Sequence, residues 1–358
     1  MSKLRVGIVG AGNIAELHAL GYEKENRAEI VAICDPDEDA AIRRSLDWGA
    51  KVYYNQFADM LADQSIDAVE ILTPNYLHAS QVIQALQAGK HVSVERPLAT
   101  TIEDADKVLA AAKASGKVFQ VFEPCLYYKP LLDARNLIDA GEIGTPTGLR
   151  IDAVIGRSES GLWNFDNPEV DPWRFDSNSV GGSPMLYEVG YQAFCIALFL
   201  IGSVEKVNVW RSMTEVAPGR QLDTPTVAMW KHFQQDSYGT LNLTYAPERK
   251  MRSSYFPLEL EIQVSGTRGD IRVIRSSDLT RIEAPVELHR SNRRVSYGQK
   301  SSTFEDSFIR ATQNFIGACR GEEEPLLRGV EAKQLLVLTL AFAEAAKRGR
   351  AITLQHGG

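Results

Sequence analysis

The sequence lacks several features that mark specialised classes of protein. Its 358 residues include only four cysteines, Cys34, Cys125, Cys195 and Cys319, and these form no CxxC pair and no Cys/His cluster. This pattern predicts reduced, buried thiols in a cytoplasmic protein and no metal site. The longest apolar run, 189–201, has 13 residues, fewer than the roughly 20 that span a membrane. It predicts a buried helix.

An excess of positive charge is also absent. The chain has 39 Lys and Arg against 46 Asp and Glu, so its formal net charge is −7, and its isoelectric point is about 5.5. Proteins that bind nucleic acids generally carry a basic surface, and this balance therefore argues against such a partner. The basic stretch from His289 to Lys300 predicts a solvated loop. The expected partners are small molecules.

The first 120 residues alternate β-rich runs with helical patterns. Strands are predicted at LRVGIV, EIVAICD, AVEILT, HVSVE and VFQVF. Two of the intervening helices end at Gly89 and Gly116, and glycine commonly follows the last turn of a helix. Alternation of this kind predicts a parallel sheet built from βαβ units.

The pattern changes after residue 122. From Lys206 to about Ile282, five strand-like runs follow one another without helices between them. Such a series predicts a mostly antiparallel sheet. Two helical patterns close the chain. They are assigned to this second part, and the alternative is that they pack back onto the first.

A glycine pattern follows the first predicted strand. The sequence GAGNIA at residues 10–15 matches G-x-G-x-x-A, in which Gly10 permits a tight turn and Gly12 lets the backbone approach a pyrophosphate. Asp35 ends the second strand, where a carboxylate binds ribose hydroxyls and repels a 2′-phosphate. These residues predict NAD as the cofactor, and Arg43-Arg44 keeps NADP as the alternative.

The predicted fold class is therefore α/β. A Rossmann dinucleotide-binding domain covers residues 1–122, and an α+β domain with a large, open, mostly antiparallel sheet covers residues 123–358.

Further motifs resemble those of the Gfo/Idh/MocA family, which includes glucose–fructose oxidoreductase and inositol dehydrogenase. The motifs are TPNYLH at 73–78, AGKHVSVERP at 88–97, GEIG at 141–144, WR at 173–174 and GG at 181–182. The resemblance covers nearly the whole chain and implies an NAD(P)-dependent oxidoreductase that acts on a sugar, a polyol or a related hydroxyl compound. It also implies a homodimer or homotetramer assembled through the open sheet.

The resemblance further implies which residues contact the cofactor. These are Gly10, Gly12, Asn13, Ile14, Asp35, Thr73, Pro74, Asn75, His78, Glu95, Arg96, Trp173 and Arg174. For His78 the alternative is a residue of the first helical turn that makes no ligand contact.

The chain departs from the family pattern where chemistry is expected. The usual Glu-Lys-Pro reads Glu95-Arg96-Pro97, and the usual Asp-x-Gly-x-His reads EVGYQ at 188–192. Arginine cannot act as a base at ordinary pH, but it can hold two oxygens or stabilise an alkoxide. Gln192 can orient a hydroxyl but cannot take its proton. Glu188 and Gln192 are four residues apart and are expected to face one cavity of a helical site.

Proton transfer is therefore assigned to Glu188, directly or through Tyr191, with Glu123 as another candidate. Glu123 follows the strand VFQVF and is expected to point toward the substrate pocket, the alternative being a surface carboxylate. For Glu188 the alternative is a structural ion pair with Arg96. Trp163 and Tyr187 offer aromatic faces on which a sugar ring could stack.

The sequence thus predicts an oxidoreductase in which Arg96 polarises the reacting oxygen, Glu188 moves the proton and Gln192 positions a neighbouring hydroxyl. One alternative is glycoside cleavage assisted by transient oxidation with NAD. Another is a non-catalytic, NAD-binding sensor or partner subunit. Whether NAD stays bound throughout the catalytic cycle is left open.

Overall fold

The structure is a computed structural model of the chain. It describes residues 2–159, 164–165, 167, 172–233, 236–253, 255–278, 284–297 and 303–355. Trp163, a predicted substrate residue, lies outside them. The chain forms two compact units: unit 1 comprises residues 1–127 and 305–336, and unit 2 comprises residues 128–304 and 337–358.

The first 127 residues alternate strands and helices. The strands are β1 (Leu4–Val9), β2 (Ala28–Cys34), β3 (Val52–Tyr54), β4 (Ala68–Ile71), β5 (His91–Glu95) and β6 (Phe119–Phe122). The helices are α1 (Ile14–Glu23), α2 (Glu38–Trp48), α3 (Phe57–Ala62), α4 (Asn75–Gln87) and α5 (Ile102–Ser115), followed by a 3₁₀ turn, Pro124–Tyr127.

These strands form a parallel sheet in the order β3-β2-β1-β4-β5-β6. The predicted parallel sheet is therefore confirmed. Strand order reverses between β1 and β4, and an open α/β sheet binds ligands at the carboxyl ends of its strands beside such a switch point. β4 and β6 are buried along their whole length, as expected for strands covered on both faces.

The remaining residues supply the other elements. The helices are α6 (Lys129–Asp139), α7 (Ser177–Val180), α8 (Tyr191–Leu200), α9 (Glu305–Cys319) and α10 (Gly329–Arg348), with a 3₁₀ turn, Pro172–Phe175, and a π-helical turn, Leu186–Gly190. The strands are β7 (Pro146–Ser158), β8 (Val204–Arg211), β9 (Thr214–Ala217), β10 (Arg220–Leu222), β11 (Thr226–His232), β12 (Tyr238–Met251), β13 (Leu258–Gly266), β14 (Gly269–Ser276), β15 (Val286–Arg290), β16 (Arg293–Tyr297) and β17 (Ile352–Thr353).

Unit 2 contains a large sheet in the order β16-β15-β14-β13-β7-β12-β11-β8-β17. Among its described strands β7 and β12 run parallel, and the other neighbours are antiparallel. The predicted open, mostly antiparallel sheet is confirmed. The prediction of a loop over the basic stretch was wrong, because β15 and β16 pair there through Leu288 and Val295, and the charged side chains of β16 are exposed.

Helix α9 packs on α1 within unit 1. The two helices approach so closely at Gly21 that a Cβ there would lie 2.4 Å from the Thr312 side chain. In unit 2, the ring of Phe194 stacks on that of Phe342 with centroids 3.8 Å apart. Among the described helices, we find none of the length and apolarity that crossing a membrane requires.

Candidate active site

The glycine loop lies between β1 and α1. Gly10 has φ +102°, and a Cβ there would lie 2.8 Å from the carbonyl oxygen of Leu72, so the turn requires glycine. A Cβ on Gly12, in contrast, would meet no atom within 4 Å. The loop therefore leaves open space beside its backbone at the helix N-terminus, which suits the pyrophosphate of a dinucleotide.

Asp35 lies beside this loop. Its Oδ2 accepts a hydrogen bond from the backbone N–H of Ala11 at 2.7 Å, and its Oδ1 accepts one from the N–H of Asp37 at 2.9 Å. A carboxylate has about four acceptor positions, so these bonds orient Asp35 and leave capacity for ribose hydroxyls. The Nη2 of Arg44 lies 2.6 Å from Glu16 Oε1. This ion pair compensates the positive charge of Arg44, which a 2′-phosphate would otherwise attract.

The TPN segment is braced by His78. The His78 nitrogens lie 2.7 Å from two carbonyl oxygens, those of Thr73 and Pro97, which follow β4 and β5. Burial lowers the pKa of His78. A neutral imidazole has one N–H, so His78 donates to one of these carbonyl oxygens and only approaches the other. Thr73 Oγ1 donates to Gln81 at 2.5 Å, and Asn75 is buried at the start of α4.

Arg96 lies between two carboxylates. Its Nε is 3.8 Å from Glu95 Oε1 and 3.6 Å from Glu123 Oε2. Glu123 is fully buried, and its Oε1 accepts a hydrogen bond from the backbone N–H of Cys125 at 3.0 Å. The alternative of a surface carboxylate at position 123 was therefore wrong. The structure brings three charged groups together just after β5 and β6.

A buried polar group lies on the other side of Glu95. Nε2 of His18 is 3.4 Å from Glu95 Oε2, and its Nδ1 is 2.9 Å from Glu70 Oε1. Tyr22 donates its hydroxyl to Glu70 Oε2 at 2.8 Å. Sequence reasoning missed His18 and Glu70. The available signal was an acidic residue inside the otherwise apolar strand AVEI, since a buried carboxylate requires a partner.

In unit 2, Glu188 lies in the π-helical turn and forms an ion pair with Arg174. The guanidinium of Arg174 also lies over the ring of Trp173, 4.7 Å from its centroid. The sequence predicted a regular helix here. Instead Tyr191 donates its N–H to the Leu186 carbonyl across five residues, and α8 begins at Tyr191. Single π turns often occur at functional sites.

Three further predicted residues are buried around this turn. Burial raises the pKa of Tyr187 to about 12, so its hydroxyl remains protonated and can donate. Tyr191 is fully buried. Gln192 is nearly so, and its Oε1 accepts no hydrogen bond from the described residues. Asp223 accepts from the N–H groups of Met185 and Leu186, which fixes the start of the turn.

The predicted residues thus form two sets, and the members of each set lie together within one unit. Unit 1 holds the glycine loop, Asp35, the TPN segment and the Glu95–Arg96–Glu123 cluster, and unit 2 holds Trp173, Arg174 and residues 187–192. Among the described residues, we find no cluster of His, Cys, Asp and Glu suited to a metal ion.

Comparison with known proteins agrees with this geometry. Residues 4–123 match the profile of an oxidoreductase family with an NAD-binding Rossmann fold, and residues 131–272 match the GFO/IDH/MocA C-terminal domain. The chain is 22% identical to myo-inositol 2-dehydrogenase of Thermotoga maritima over 99% of each chain.

Solved structures share the fold over almost the full length. A levoglucosan dehydrogenase in complex with NADH has a TM-score of 0.83 and 21% identity, with 99% of this chain and 100% of that chain covered. The WlbA dehydrogenase of Bordetella pertussis, in complex with NADH and UDP-GlcNAcA, has a TM-score of 0.80, 25% identity and the same coverage. The chain belongs to the Gfo/Idh/MocA family of NAD-binding oxidoreductases.

Proposed function

We propose that this protein transfers a hydride between NAD and a hydroxyl or carbonyl group of a sugar, a cyclitol or a glycoside. The names of its relatives, which include an inositol dehydrogenase and a levoglucosan dehydrogenase, support this substrate class. The observation that carries the proposal is the position of Arg96. It follows β5 at the ligand-binding edge of the Rossmann sheet, between Glu95 and Glu123.

Bound NAD would supply the hydride acceptor or donor. Residues suited to hold it are Gly10, Gly12, Asn13, Ile14, Asp35, Thr73, Pro74, Asn75, His78, Glu95, Arg96, Trp173 and Arg174. The open space at Gly12 and the oriented carboxylate of Asp35 support this assignment. The pairing of Arg44 with Glu16 favours NAD over NADP.

Arg96 cannot take a proton, so its assigned role is to hold the reacting oxygen and stabilise negative charge on it. Glu188 is the first candidate for proton transfer, directly or through Tyr191. Its ion pair with Arg174 stabilises the carboxylate form that can accept a proton. Glu123 is the second candidate, because it is buried and lies 3.6 Å from the Arg96 Nε.

Gln192 and Tyr187 are assigned to the substrate. The unsatisfied Oε1 of Gln192 can accept a bond from a neighbouring hydroxyl, and the protonated Tyr187 hydroxyl can donate one. The Trp173 ring, which Arg174 covers on one side, stays assigned to the cofactor, since an aromatic face can also stack on nicotinamide.

The test is a panel of sugars, cyclitols and glycosides incubated with NAD and followed by NADH absorbance. Arg96→Ala should abolish turnover of the active substrate, whereas calorimetry should still detect NAD binding, because the glycine loop and Asp35 are unchanged. Arg293→Ala on the exposed strand β16 is the matched control. Near-normal turnover of Arg96→Ala would contradict the role of Arg96.

Two other outcomes would replace the proposal. Release of an aglycone without net NADH would identify NAD-assisted cleavage of a glycosidic bond. NAD binding without turnover over the whole panel would identify a sensor or a partner subunit. Native mass spectrometry of the purified protein would show whether NAD stays bound.

We also propose a homodimer or homotetramer assembled through the large sheet. Val227 and Trp210 are paired neighbours on β11 and β8, and Met229 follows on the same face. Trp210 is 56% exposed and Met229 45% exposed, and an apolar patch of this kind marks an interface. Met229→Glu should reduce the mass measured by light scattering, whereas Val330→Glu in unit 1, 60% exposed, should not. The proposed compartment is the cytoplasm, since the chain has only four cysteines and they form no CxxC pair.

A further inference from the structure

Arg96 belongs to a row of five ionisable side chains, here called the ion row, of which His18, Glu70 and Glu123 are fully buried. Its members are Glu70, His18, Glu95, Arg96 and Glu123, in that order, and their formal charges alternate in sign when His18 is protonated. We propose that His18 is a positioning residue: as an imidazolium held between Glu70 and Glu95, it fixes the Glu95 carboxylate and thereby the direction of the Arg96 guanidinium. This inference rests on the proposed role of Arg96.

The positions of the two carboxylates favour the charged ring. A neutral imidazole has one N–H and one lone pair, so one of its nitrogens would turn a lone pair toward a carboxylate. The protonated ring instead donates a hydrogen bond to Glu70 at 2.9 Å and places its second N–H within ion-pair distance of Glu95, at 3.4 Å. His18 is fully buried, so water cannot supply the missing donor.

The surroundings of His18 hold it in place. Its ring lies against that of Phe122, with centroids 4.0 Å apart, and meets Phe308 of α9 edge-on at 5.3 Å. The hydroxyls of Tyr22 and Ser93 donate hydrogen bonds to the Glu70 carboxylate, at 2.8 Å and 3.5 Å. Among the described residues, the ionisable groups that face His18 are the carboxylates of Glu70 and Glu95 and, beside Glu70, the Tyr22 phenol.

The charges favour the imidazolium. Burial alone opposes the charge, but the carboxylates of Glu70 and Glu95 outweigh this effect and raise the pKa of His18 to about 9. Burial, together with the nearby charge of Glu70, holds the pKa of Tyr22 well above its usual range, so Tyr22 remains a neutral donor. The two carboxylates thus share one cation at neutral pH.

Removal of the charge on His18 would change the balance of attraction among the remaining charged side chains of the ion row. The Nε of Arg96 lies at similar distances from Glu95 and Glu123, 3.8 Å and 3.6 Å. With a neutral residue at position 18, Glu95 would lose one of the two cations that lie beside it among the described residues, and its attraction for the Arg96 guanidinium would increase. A displacement of about 1 Å at a reacting group can reduce turnover by about 10²-fold.

Two variants test this role. His18→Gln keeps a hydrogen-bonding side chain without the charge, and we expect kcat to fall by about 10²-fold while KM for NAD changes by less than about threefold. Glu70→Gln retains His18 but removes one of its carboxylate partners, so the imidazole should titrate at lower pH. The kcat of Glu70→Gln divided by the kcat of wild type should then be near one at low pH and should fall as pH rises.

His232→Gln is the matched control, since His232 is another buried imidazole, bonded to Gly202 and Trp230 in unit 2. It should leave the pH dependence of kcat unchanged. A Glu70→Gln ratio that does not vary with pH would overturn the proposal, as would a wild-type kcat in His18→Gln.

NMR provides a reading that needs no turnover. The experiment uses wild type labelled with ¹⁵N-histidine and ¹⁵N-arginine. The imidazole resonances that disappear in His18→Gln belong to His18, and their ¹⁵N chemical shifts at neutral pH should be those of an imidazolium. The Nε–H resonance of Arg96, identified with Arg96→Lys, should shift in His18→Gln and not in His232→Gln. A neutral His18, or an unmoved Arg96 resonance, would overturn the positioning role. Absence of turnover in wild type alone would instead count against the proposed function.

Discussion

The carboxylate of Asp35 is tied to the backbone of Ala11 by a 2.7 Å hydrogen bond, which joins the residue at the end of β2 to the middle of the glycine loop. The bond fixes a negative charge beside the space left open at Gly12. Cofactor choice should therefore depend on this one carboxylate.

We expect Asp35→Ser to weaken NAD binding by about tenfold or more, since a hydrogen bond to a charged group contributes about 1.5–3 kcal/mol. Loss of the negative charge should at the same time improve NADP affinity relative to NAD. Calorimetry with both cofactors measures the ratio. Asp39→Ser, at an exposed position in α2, is the control, and an unchanged ratio in Asp35→Ser would contradict the assignment.

Gly10 and Gly12 should respond differently to the same change. Gly10→Ala places a Cβ 2.8 Å from the Leu72 carbonyl oxygen at φ +102° and should reduce the free energy of unfolding by about 1–3 kcal/mol. The Cβ added by Gly12→Ala meets no atom within 4 Å, so the free energy of unfolding should stay within about 0.5 kcal/mol of wild type. NAD affinity should fall, because the Cβ occupies the space proposed for the pyrophosphate. Urea titration and calorimetry separate the effects. Equal loss of stability in both variants would contradict this interpretation.

The two candidate bases can be separated by amide substitution. If Glu188 moves the proton, Glu188→Gln should lower kcat by about 10²-fold or more and remove the acidic limb of the pH–rate profile, while Glu123→Gln keeps that limb. The reverse result would transfer the role to Glu123. Arg174→Gln provides a further check, because loss of the ion pair should move the acidic limb of a Glu188-dependent profile to higher pH.

His18 should make stability dependent on pH. Its folded pKa of about 9 lies above the about 6.5 of an unfolded imidazole, so its contribution is complete below about pH 6.5 and is lost as pH rises through about 9. The free energy of unfolding in urea should fall across this range by about 3 kcal/mol more in wild type than in His18→Gln. Parallel curves for the two proteins would rule out a protonated His18.

Most of the fold follows from local sequence signals. The strands of the parallel sheet are apolar runs bounded by glycines and helical patterns, and periodicity is sufficient to locate them. β3 was missed because Val52–Tyr54 is short and its side chains are largely exposed. The π turn was missed because its i to i+5 hydrogen bonds leave no distinct spacing of apolar residues.

The site was less predictable from sequence because its contacts join distant residues. The glycine loop and Asp35 belong to one βαβ unit with a known spacing, so they could be assigned together. The pairing of Glu188 with Arg174, and that of His18 with Glu70, depend on how separate elements pack. A charged residue in a sequence does not indicate which partner neutralises it.

The order of synthesis matters for unit 1, which combines two separate segments of the chain, residues 1–127 and 305–336. Its α9 reaches α1 across almost three hundred residues of intervening chain, and Phe308 of α9 covers His18. When a ribosome has released only residues 1–127, His18 therefore lacks the Phe308 ring that packs on it in the folded chain. This part of the His18 surroundings can form only after α9 has been synthesised.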